Sequence, residues 1–272
     1  RLKAEENVRH LALHDSLTGL PNRNYLRESL GQALAAAERH NWRIGVYFID
    51  LDHFKLINDT RGHQVGDLVL REVAQRLKAI LRDEDTVGRL AGDEFVVFTP
   101  NVDSDAAIVT VAEHLLHVLT EPFIVEDEKL FVTTSIGIVV YPADGADIDS
   151  LLSNADTAMY AAKADGRANF KFFTEAMNEA GRDQLETTRA VKLALERNEF
   201  ELFYQPQVLA SNSNSVSGVE ALIRWNHPQR GLVSPGQFIP AIEGSRLIVE
   251  VGNWVIEEAL RQVREWRQQG VT

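Results

Sequence analysis

Ala91-Gly92-Asp93-Glu94-Phe95 runs directly into the apolar stretch Val96-Val97-Phe98. Small residues, two adjacent carboxylates and then bulky apolar residues predict a strand, a tight turn that carries acids, and another strand. Upstream, Phe48-Ile49-Asp50-Leu51-Asp52 puts another carboxylate pair on a separate apolar run. Residues two apart on a strand share a face, so Asp50 and Asp52 point the same way. Leu51 points away, but its carbonyl is open to a cation if the strand ends there. If the two strands are neighbours, Asp50, Asp93 and Glu94 converge. Such a group suits Mg²⁺, which takes oxygen ligands and shares its shell with substrate phosphates. Two ions about 3.5–4 Å apart would serve both the attacking and the leaving oxygen. Any one of these acids alone also reads as a solvated turn or a helix cap.

The 272 residues allow one or two domains, with 44% hydrophobic and 25% charged residues, ordinary for a globular protein. The net charge of -12 argues against a binder of nucleic-acid polymers, which carries a basic face. A nucleotide substrate remains compatible, because a divalent ion and a few placed cations offset the repulsion locally. The absence of Cys removes disulfide and thiolate chemistry and fits a cytoplasmic location. No apolar run reaches membrane-spanning length, so no membrane contact is expected from this chain. It starts at Arg1 rather than Met, which suggests a piece of something longer, whose upstream part could hold a sensor or anchor.

Spaced apolar residues over 1–14 predict an incoming helix, and the Gly and Pro of Leu17-Thr18-Gly19-Leu20-Pro21 predict a turn. Helices are expected over Tyr25–Arg39, Asp67–Leu81, Asp105–Leu119 and Leu151–Ala164. Strands are expected over Ile44–Ile49, Thr86–Leu90, Phe95–Thr99, Leu130–Val140 and Phe170–Phe173. Asn58-Asp59 and Gly62 read as loop residues. Composition changes near 174, where a charged helical connector begins. Beyond it lie a strand over Phe200–Gln205, a polar loop over Ser211–Ser215, a strand over Val216–Trp225 and a helix over Trp254–Gln268. The block before 174 mixes strands and helices as an α/β sandwich does. The block after it has the pattern that opens a βα repeat.

Ordered motifs add a more specific reading. They are Asp15-x-Leu17-Thr18-Gly19-Leu20-Pro21-Asn22-Arg23, Asp50-Leu51-Asp52-His53-Phe54-Lys55-Leu56-Ile57-Asn58-Asp59, Gly62-His63-x-x-Gly66-Asp67, Arg89-x-Ala91-Gly92-Asp93-Glu94-Phe95, and Ala155-Asp156-x-Ala158-Met159-Tyr160-x-Ala162-Lys163-x-x-Gly166-Arg167-x-Asn169. Together they resemble the GGDEF family of diguanylate cyclases. The resemblance implies an α/β, palm-like, nucleotide-cyclase-like fold, with a mainly antiparallel central sheet and surrounding helices. It implies condensation of two GTP molecules into cyclic di-GMP with loss of pyrophosphate, using Mg²⁺ or, in its place, Mn²⁺.

Residue by residue, the resemblance makes Asp50, the Leu51 carbonyl, Asp93 and Glu94 metal ligands. Asp93 or Glu94 would also accept the proton of the 3′-hydroxyl, and Lys55 would stabilise phosphate charge. Asn58 and Asp67 match guanine readers, which suits an amide with donor and acceptor and a carboxylate that accepts from N–H groups. Lys163 and Arg167 match triphosphate contacts, although cations at a helix end are favourable in any case. Phe54 belongs with the substrate-binding positions and is expected to pack beneath them. His53 and His63 are not needed by an oxygen-rich site. The first Gly of the family motif is Ala91 here, harmless if its φ is ordinary and costly if φ is positive.

Arg82-x-x-Asp85, separated from Ala91 by five residues, matches the family's inhibitory product site, with Arg89 beside it. A local ion pair is the plainer reading of that tetrapeptide. From about residue 182 the chain resembles the start of the EAL family of cyclic di-GMP phosphodiesterases. The carriers are Phe203-Tyr204-Gln205-Pro206-Gln207, Gly218-Val219-Glu220-Ala221-Leu222-Ile223-Arg224-Trp225, His227-Pro228 and Phe238-Ile239-Pro240. There Glu220 matches a metal ligand, and Gln205 and Arg224 match dinucleotide contacts. A (β/α)₈ barrel needs about 250 residues, so the segment is expected to be an incomplete barrel fragment without phosphodiesterase activity of its own.

The expected organisation is a signalling helix over 1–14, a cyclase domain over 15–173, a linker over 174–199 and an EAL fragment over 200–272. The expected partners are GTP, cyclic di-GMP and another copy of the chain. Two GTP molecules must each present a 3′-hydroxyl to the other's α-phosphate, and identical half-sites about a two-fold axis satisfy that geometry. The rival reading is a nucleotide-binding domain that regulates the adjoining phosphodiesterase.

Overall fold

The computed structural model describes residues 12–125, 128–209 and 212–270. The helix expected over 1–14 falls outside the described residues except for its last three. The chain divides into two units, one ending at Asn178 and the other beginning at Glu179.

In the first unit the helices are α1 (Arg23–His40), α2 (Phe54–Arg61), α3 (His63–Ile80), α4 (Asp105–Thr120) and α5 (Ile148–Ala164). The strands are β1 (Ile44–Leu51), β2 (Thr86–Ala91), β3 (Glu94–Thr99), β4 (Phe123–Val125), β5 (Glu128–Leu130), β6 (Thr134–Tyr141) and β7 (Phe170–Phe172). The sheet order is β2-β3-β1-β6-β7, antiparallel except for the parallel β6–β7 pair. This is the mainly antiparallel, helix-flanked sheet that the sequence implied.

β1 is buried along its whole length, which explains its unbroken apolar run. Its alternate residues enter two different cores. Tyr47, Ile49 and Leu51 pack with Val69, Val73 and Leu77 of α3 and Ile108 and Leu115 of α4. Ile44, Val46 and Phe48 pack with Leu26 and Leu30 of α1 and Leu151 and Ala155 of α5. The single charged residue of this strand, Asp50, follows Phe48 on the α1/α5 face, one residue before the strand ends. Local signals set the ends of these elements. Asn22 caps α1 by accepting from the N–H groups of Asn24 and Tyr25, and Asp147 and Ser150 form a capping box on α5.

Two expectations are corrected in this unit. Asn58 and Asp59, read as loop residues, lie inside the helix over 54–61, whereas Gly62 does fall between two helices. The helix starts after His53 at φ 58 and has no side-chain cap, so nothing polar announces it. The long strand expected over Leu130–Val140 is split: β5 pairs with β4 in a separate hairpin, and the central sheet is entered only at Thr134, opposite Leu51.

The other unit contains most of α6 (Glu175–Glu196), then β8 (Phe200–Leu209), β9 (Asn212–His227), β10 (Gly231–Val233), the short α7 (Ile239–Ile242) and α8 (Leu247–Gln268). Its strands pair antiparallel in the order β10-β9-β8. The ladder runs past the apolar stretch to Leu209 opposite Asn212, so the expected polar loop is largely taken into β9. Backbone pairing satisfies peptide groups whatever the side chains are. Val191, Ala194, Phe200, Trp225, Phe238 and Val251 form the core of this unit.

Helix α5 crosses β6 at Gly137. A Cβ there would lie 1.9 Å from the Ala155 carbonyl oxygen and 2.2 Å from the Met159 nitrogen. Gly137→Ala is therefore expected to push α5 off the sheet and to lower stability by about 1–3 kcal/mol. Chemical denaturation measures this, and a change within about 0.5 kcal/mol of zero would contradict the close approach.

Candidate active site

The ladder puts Asp50 directly opposite Glu94 on one side and Ser135 on the other. Asp93 lies in the turn between β2 and β3, so the acids of β1 and of the hairpin meet at one end of the sheet. Ala91 is absent from the positive-φ residues; Gly92, at φ 50, takes the left-handed position. The substituted position thus costs no backbone strain.

Asp50 is buried, at 7% exposure. Its Oδ1 sits 2.6 Å from Nζ of Lys163, which comes from α5. This close contact with the ammonium is charge-assisted, and Lys163 is the cation that balances the buried carboxylate. Burial pushes the Asp50 carboxyl up to about 6; Lys163 pulls it down, and the charges of Asp93 and Asp52 push it up again. Glu94 is also raised, first by burial and then by Asp156 and Asp93. The site is rich in negative charge and short of cations.

Among the described residues no three His, Cys, Asp or Glu side chains converge closely enough to hold a metal by themselves. Asp50, Asp93 and Glu94 are therefore not gathered into a ready-made three-carboxylate site, and a cation placed among them would need water and substrate phosphate to complete its shell. The donors are all oxygens, as a hard cation requires: the buried Asp50 carboxylate, the acid turn across the ladder from it, and the backbone carbonyl of the next residue, Leu51.

Asp52 behaves differently from Asp50. Its Oδ1 accepts from the Ser135 hydroxyl at 2.8 Å, and its Oδ2 accepts from Thr133 Oγ1 at 2.8 Å and from the Ala168 amide at 3.2 Å. It is a fully bonded anchor. What it anchors is the turn after α5, where Gly166, Arg167 and Ala168 all have positive φ. Arg167 is therefore not one helical turn beyond Lys163, as the sequence suggested, but lies exposed in a left-handed turn tied to the end of β1.

Lys55 is exposed on α2, where Phe54 is buried beneath the surface. Asn58 and Asp67 come from adjoining helices. A Cβ on Gly66 would lie 2.0 Å from Asn58 Oδ1, so the Asn58 side chain rests directly on Gly66, next to Asp67. A cleft of about 250 Å³ beside Glu94 is lined by Arg23, Arg27, Asp149 and Asp156.

Arg82 and Asp85 border a cleft of about 690 Å³. The two residues are joined through backbone: the Arg82 amide donates to Asp85 Oδ2 at 3.0 Å, and the Asp85 amide donates to the Arg82 carbonyl at 3.0 Å. The Arg82 side chain is 81% exposed and its guanidinium approaches Glu84, at 4.0 Å, rather than Asp85. Trp42 lines the same cleft and stacks on His40, with centroids 4.7 Å apart. Sequence reasoning missed Trp42, which sits after α1 far from any motif. Arg89 does not line this cleft; its guanidinium bonds Gly92 and Asp15.

In the other unit Gln205 pairs directly with Glu220, and Arg224 lies four residues further along the same face of β9. Arg224 donates to the Ile223 carbonyl and lies over the Phe203 ring at 5.5 Å. Among the described residues no helix is long and apolar enough to cross a membrane.

Comparison with known proteins agrees with this architecture. The family model "Diguanylate cyclase, GGDEF domain" matches residues 12–169, and the EAL domain model matches 188–272. The bifunctional diguanylate cyclase/cyclic di-GMP phosphodiesterase MucR of Pseudomonas aeruginosa is 46% identical over 269 residues, 98% of this chain and 39% of that protein. The cyclic di-GMP phosphodiesterase PdeR of Escherichia coli is 39% identical over 269 residues, 99% of this chain and 40% of that protein. The chain thus spans well under half the length of these relatives. Among solved structures, the GGDEF domain of TpbB (YfiN) from Pseudomonas aeruginosa superposes with a TM-score of 0.60 at 37% identity, covering 62% of this chain and 99% of that one. DgcB from Caulobacter crescentus, solved in complex with c-di-GMP, gives 0.57 at 30% identity, covering 62% and 90%. With its acid hairpin set against β1 and a partial EAL domain following, the chain belongs to the GGDEF family.

Proposed function

We propose that the first unit condenses two GTP molecules into cyclic di-GMP, as a homodimer of identical half-sites, within a cyclic di-GMP signalling protein. The observation that carries this reading is the buried Asp50 carboxylate, with Lys163 as its one close cation, facing the Asp93-Glu94 turn across the β1–β3 ladder. Asp50, the Leu51 carbonyl, Asp93 and Glu94 would hold Mg²⁺, or Mn²⁺ on the same oxygen donors. When bound, such an ion offsets charge on the phosphates and makes the 3′-hydroxyl more acidic.

The protein's own residues do the rest. Asn58 and Asp67 read the guanine edge over Phe54. Lys55, Lys163 and Arg167 hold the triphosphate, and positioning with charge stabilisation supplies most of the rate in phosphoryl transfer. Asp93 or Glu94 takes the proton as the 3′-oxygen bonds to the partner nucleotide's α-phosphorus. The bond from that phosphorus to the bridging oxygen then breaks, and pyrophosphate leaves. Two such transfers close the ring.

An alternative reading has support in the phosphodiesterase names among the relatives. In it, the first unit binds GTP or cyclic di-GMP and controls an adjoining EAL domain, where Gln205, Glu220 and Arg224 would serve the dinucleotide and its metal. Purified chain given GTP and Mg²⁺ is expected to yield cyclic di-GMP, identified by mass, and Glu94→Ala is expected to lower the rate at least about 100-fold. GTP that binds but is not consumed would support the regulatory reading instead.

The cleft beside Arg82 and Asp85 is proposed as the site of product inhibition, with Arg82 offering a forked cation and Asp85 an acceptor for guanine N–H groups. Trp42 offers a stacking face for a base. Arg82→Ala and Trp42→Ala are each expected to raise the inhibitory concentration of cyclic di-GMP about tenfold while the uninhibited rate stays near wild type. Unchanged inhibition in Arg82→Ala would refute the assignment.

A further inference from the structure

Joining two nucleotides at one acid turn brings two sets of phosphates to it, and each set needs positive charge. The cations assigned above gather on one side. Lys163 reaches Asp50 on β1, and Arg167 sits in the turn between α5 and β7. The sheet order β2-β3-β1-β6-β7 places Glu94, on β3, between those cations and the β2 edge. That edge is where α1 begins. The Arg89 amide on β2 donates to the Pro21 carbonyl at 2.9 Å, and a Cβ on Gly88 would lie 2.8 Å from the same carbonyl oxygen.

Arg23 is the first residue of α1. It lines the cleft of about 250 Å³ that also holds Glu94 and Asp156, with Phe48, Leu90 and Leu152 as its apolar lining. Among the described residues the Arg23 side chain makes no hydrogen bond and no ion pair. Its neighbours are engaged: Arg27, one turn further along α1, meets Asp149 at 2.6 Å, and Lys163 meets Asp50 at 2.6 Å. Asp156 borders the same cleft without pairing to Arg23. Arg23 and Lys163 both favour the charged form of Glu94 against its burial. Glu94 therefore lies between two cations, one committed to Asp50 and one uncommitted.

A free guanidinium presents a fork of N–H donors that matches phosphate oxygens. Glu94 and Asp156 would repel a bare anion, so a phosphate seated there has to arrive with its divalent ion. We infer that Arg23 receives a phosphate of the second nucleotide, the one bound mainly by the partner copy, on the side of Glu94 away from Lys163. Arg23 then acts across the two-fold axis, and nucleotide draws two copies together through it. The inference rests on the cyclase reading, which supplies the second nucleotide.

Sedimentation of the chain with Mg²⁺ and α,β-methylene GTP, whose α–β bridge does not break, reports assembly. Calorimetry with dilute protein reports binding to a single copy, and GTP turnover reports chemistry. Wild type is expected to dimerise when the analogue is added. Arg23→Ala is expected to weaken this dimer at least about tenfold, while affinity of the single copy for the analogue stays within about twofold. Arg23→Lys, which keeps the charge but loses the fork, recovers assembly only in part. Cyclic di-GMP formation falls with assembly in both variants. Arg23→Ala that dimerises as wild type does overturns the inference, and so does a wild type that stays monomeric with the analogue. Loss of analogue binding by the single copy of Arg23→Ala also overturns it, because Arg23 would then serve its own half-site. If Arg23→Ala does not fold, Arg23→Lys and Arg23→Gln decide the matter on the same readouts. A wild type that assembles with the analogue through Arg23, yet makes no cyclic di-GMP from GTP, leaves the role of Arg23 standing and removes the cyclase reading alone.

Discussion

A carboxylate at the end of the most buried strand, compensated by one ammonium group, is the constraint around which this unit is arranged. Asp50 is 7% exposed and its Oδ1 meets Lys163 Nζ at 2.6 Å. Burying a charge is costly unless it is paired and bonded. One ammonium balances this carboxylate while further acids stand across the ladder. A packing core would replace Asp50 with an apolar residue like its neighbours Phe48 and Ile49. Its retention at the mouth of the sheet is intelligible if a cation and phosphate complete the balance.

The rest of the fold delivers groups to that point. Gly137 lets α5 lie against β6 and so carries Lys163 to Asp50. Asp52, with its bonds to Thr133, Ser135 and Ala168, holds the left-handed turn bearing Arg167 against the end of the same strand. The Asn58 side chain of α2 rests directly on Gly66 of α3, next to Asp67. From the other side, Arg89 holds the hairpin turn through Gly92 and Asp15. Two carboxylates that are equivalent by spacing in Asp50-Leu51-Asp52 therefore do different things: one faces the acid turn and pairs with Lys163, and the other is bonded into the structure.

Much of this was legible in the chain. The apolar runs around Asp50 and before Thr99 define strands, and the acid turn between two such runs defines a hairpin. Ordered motifs supplied the family and the candidate residues. Illegible parts have physical reasons. The helix over 54–61 lacks a cap and starts from a positive-φ His53. The Asp15–Arg89 contact joins residues 74 apart, so no local pattern reports it. Asp52 could not be told from Asp50 by spacing, because both lie on one face and only their partners on β6 and after α5 separate them. Trp42 becomes meaningful only when the fold brings it to the cleft of Arg82 and Asp85.

The central claim is that Asp50 is kept for a cation that arrives with nucleotide. Calorimetric titration of α,β-methylene GTP into wild type and Asp50→Asn, each with Mg²⁺ and with the ion removed by chelator, tests it most directly. Tight binding is expected to wild type only with Mg²⁺, and weak, ion-independent binding to Asp50→Asn. Equal Mg²⁺-dependent binding by both proteins would contradict it.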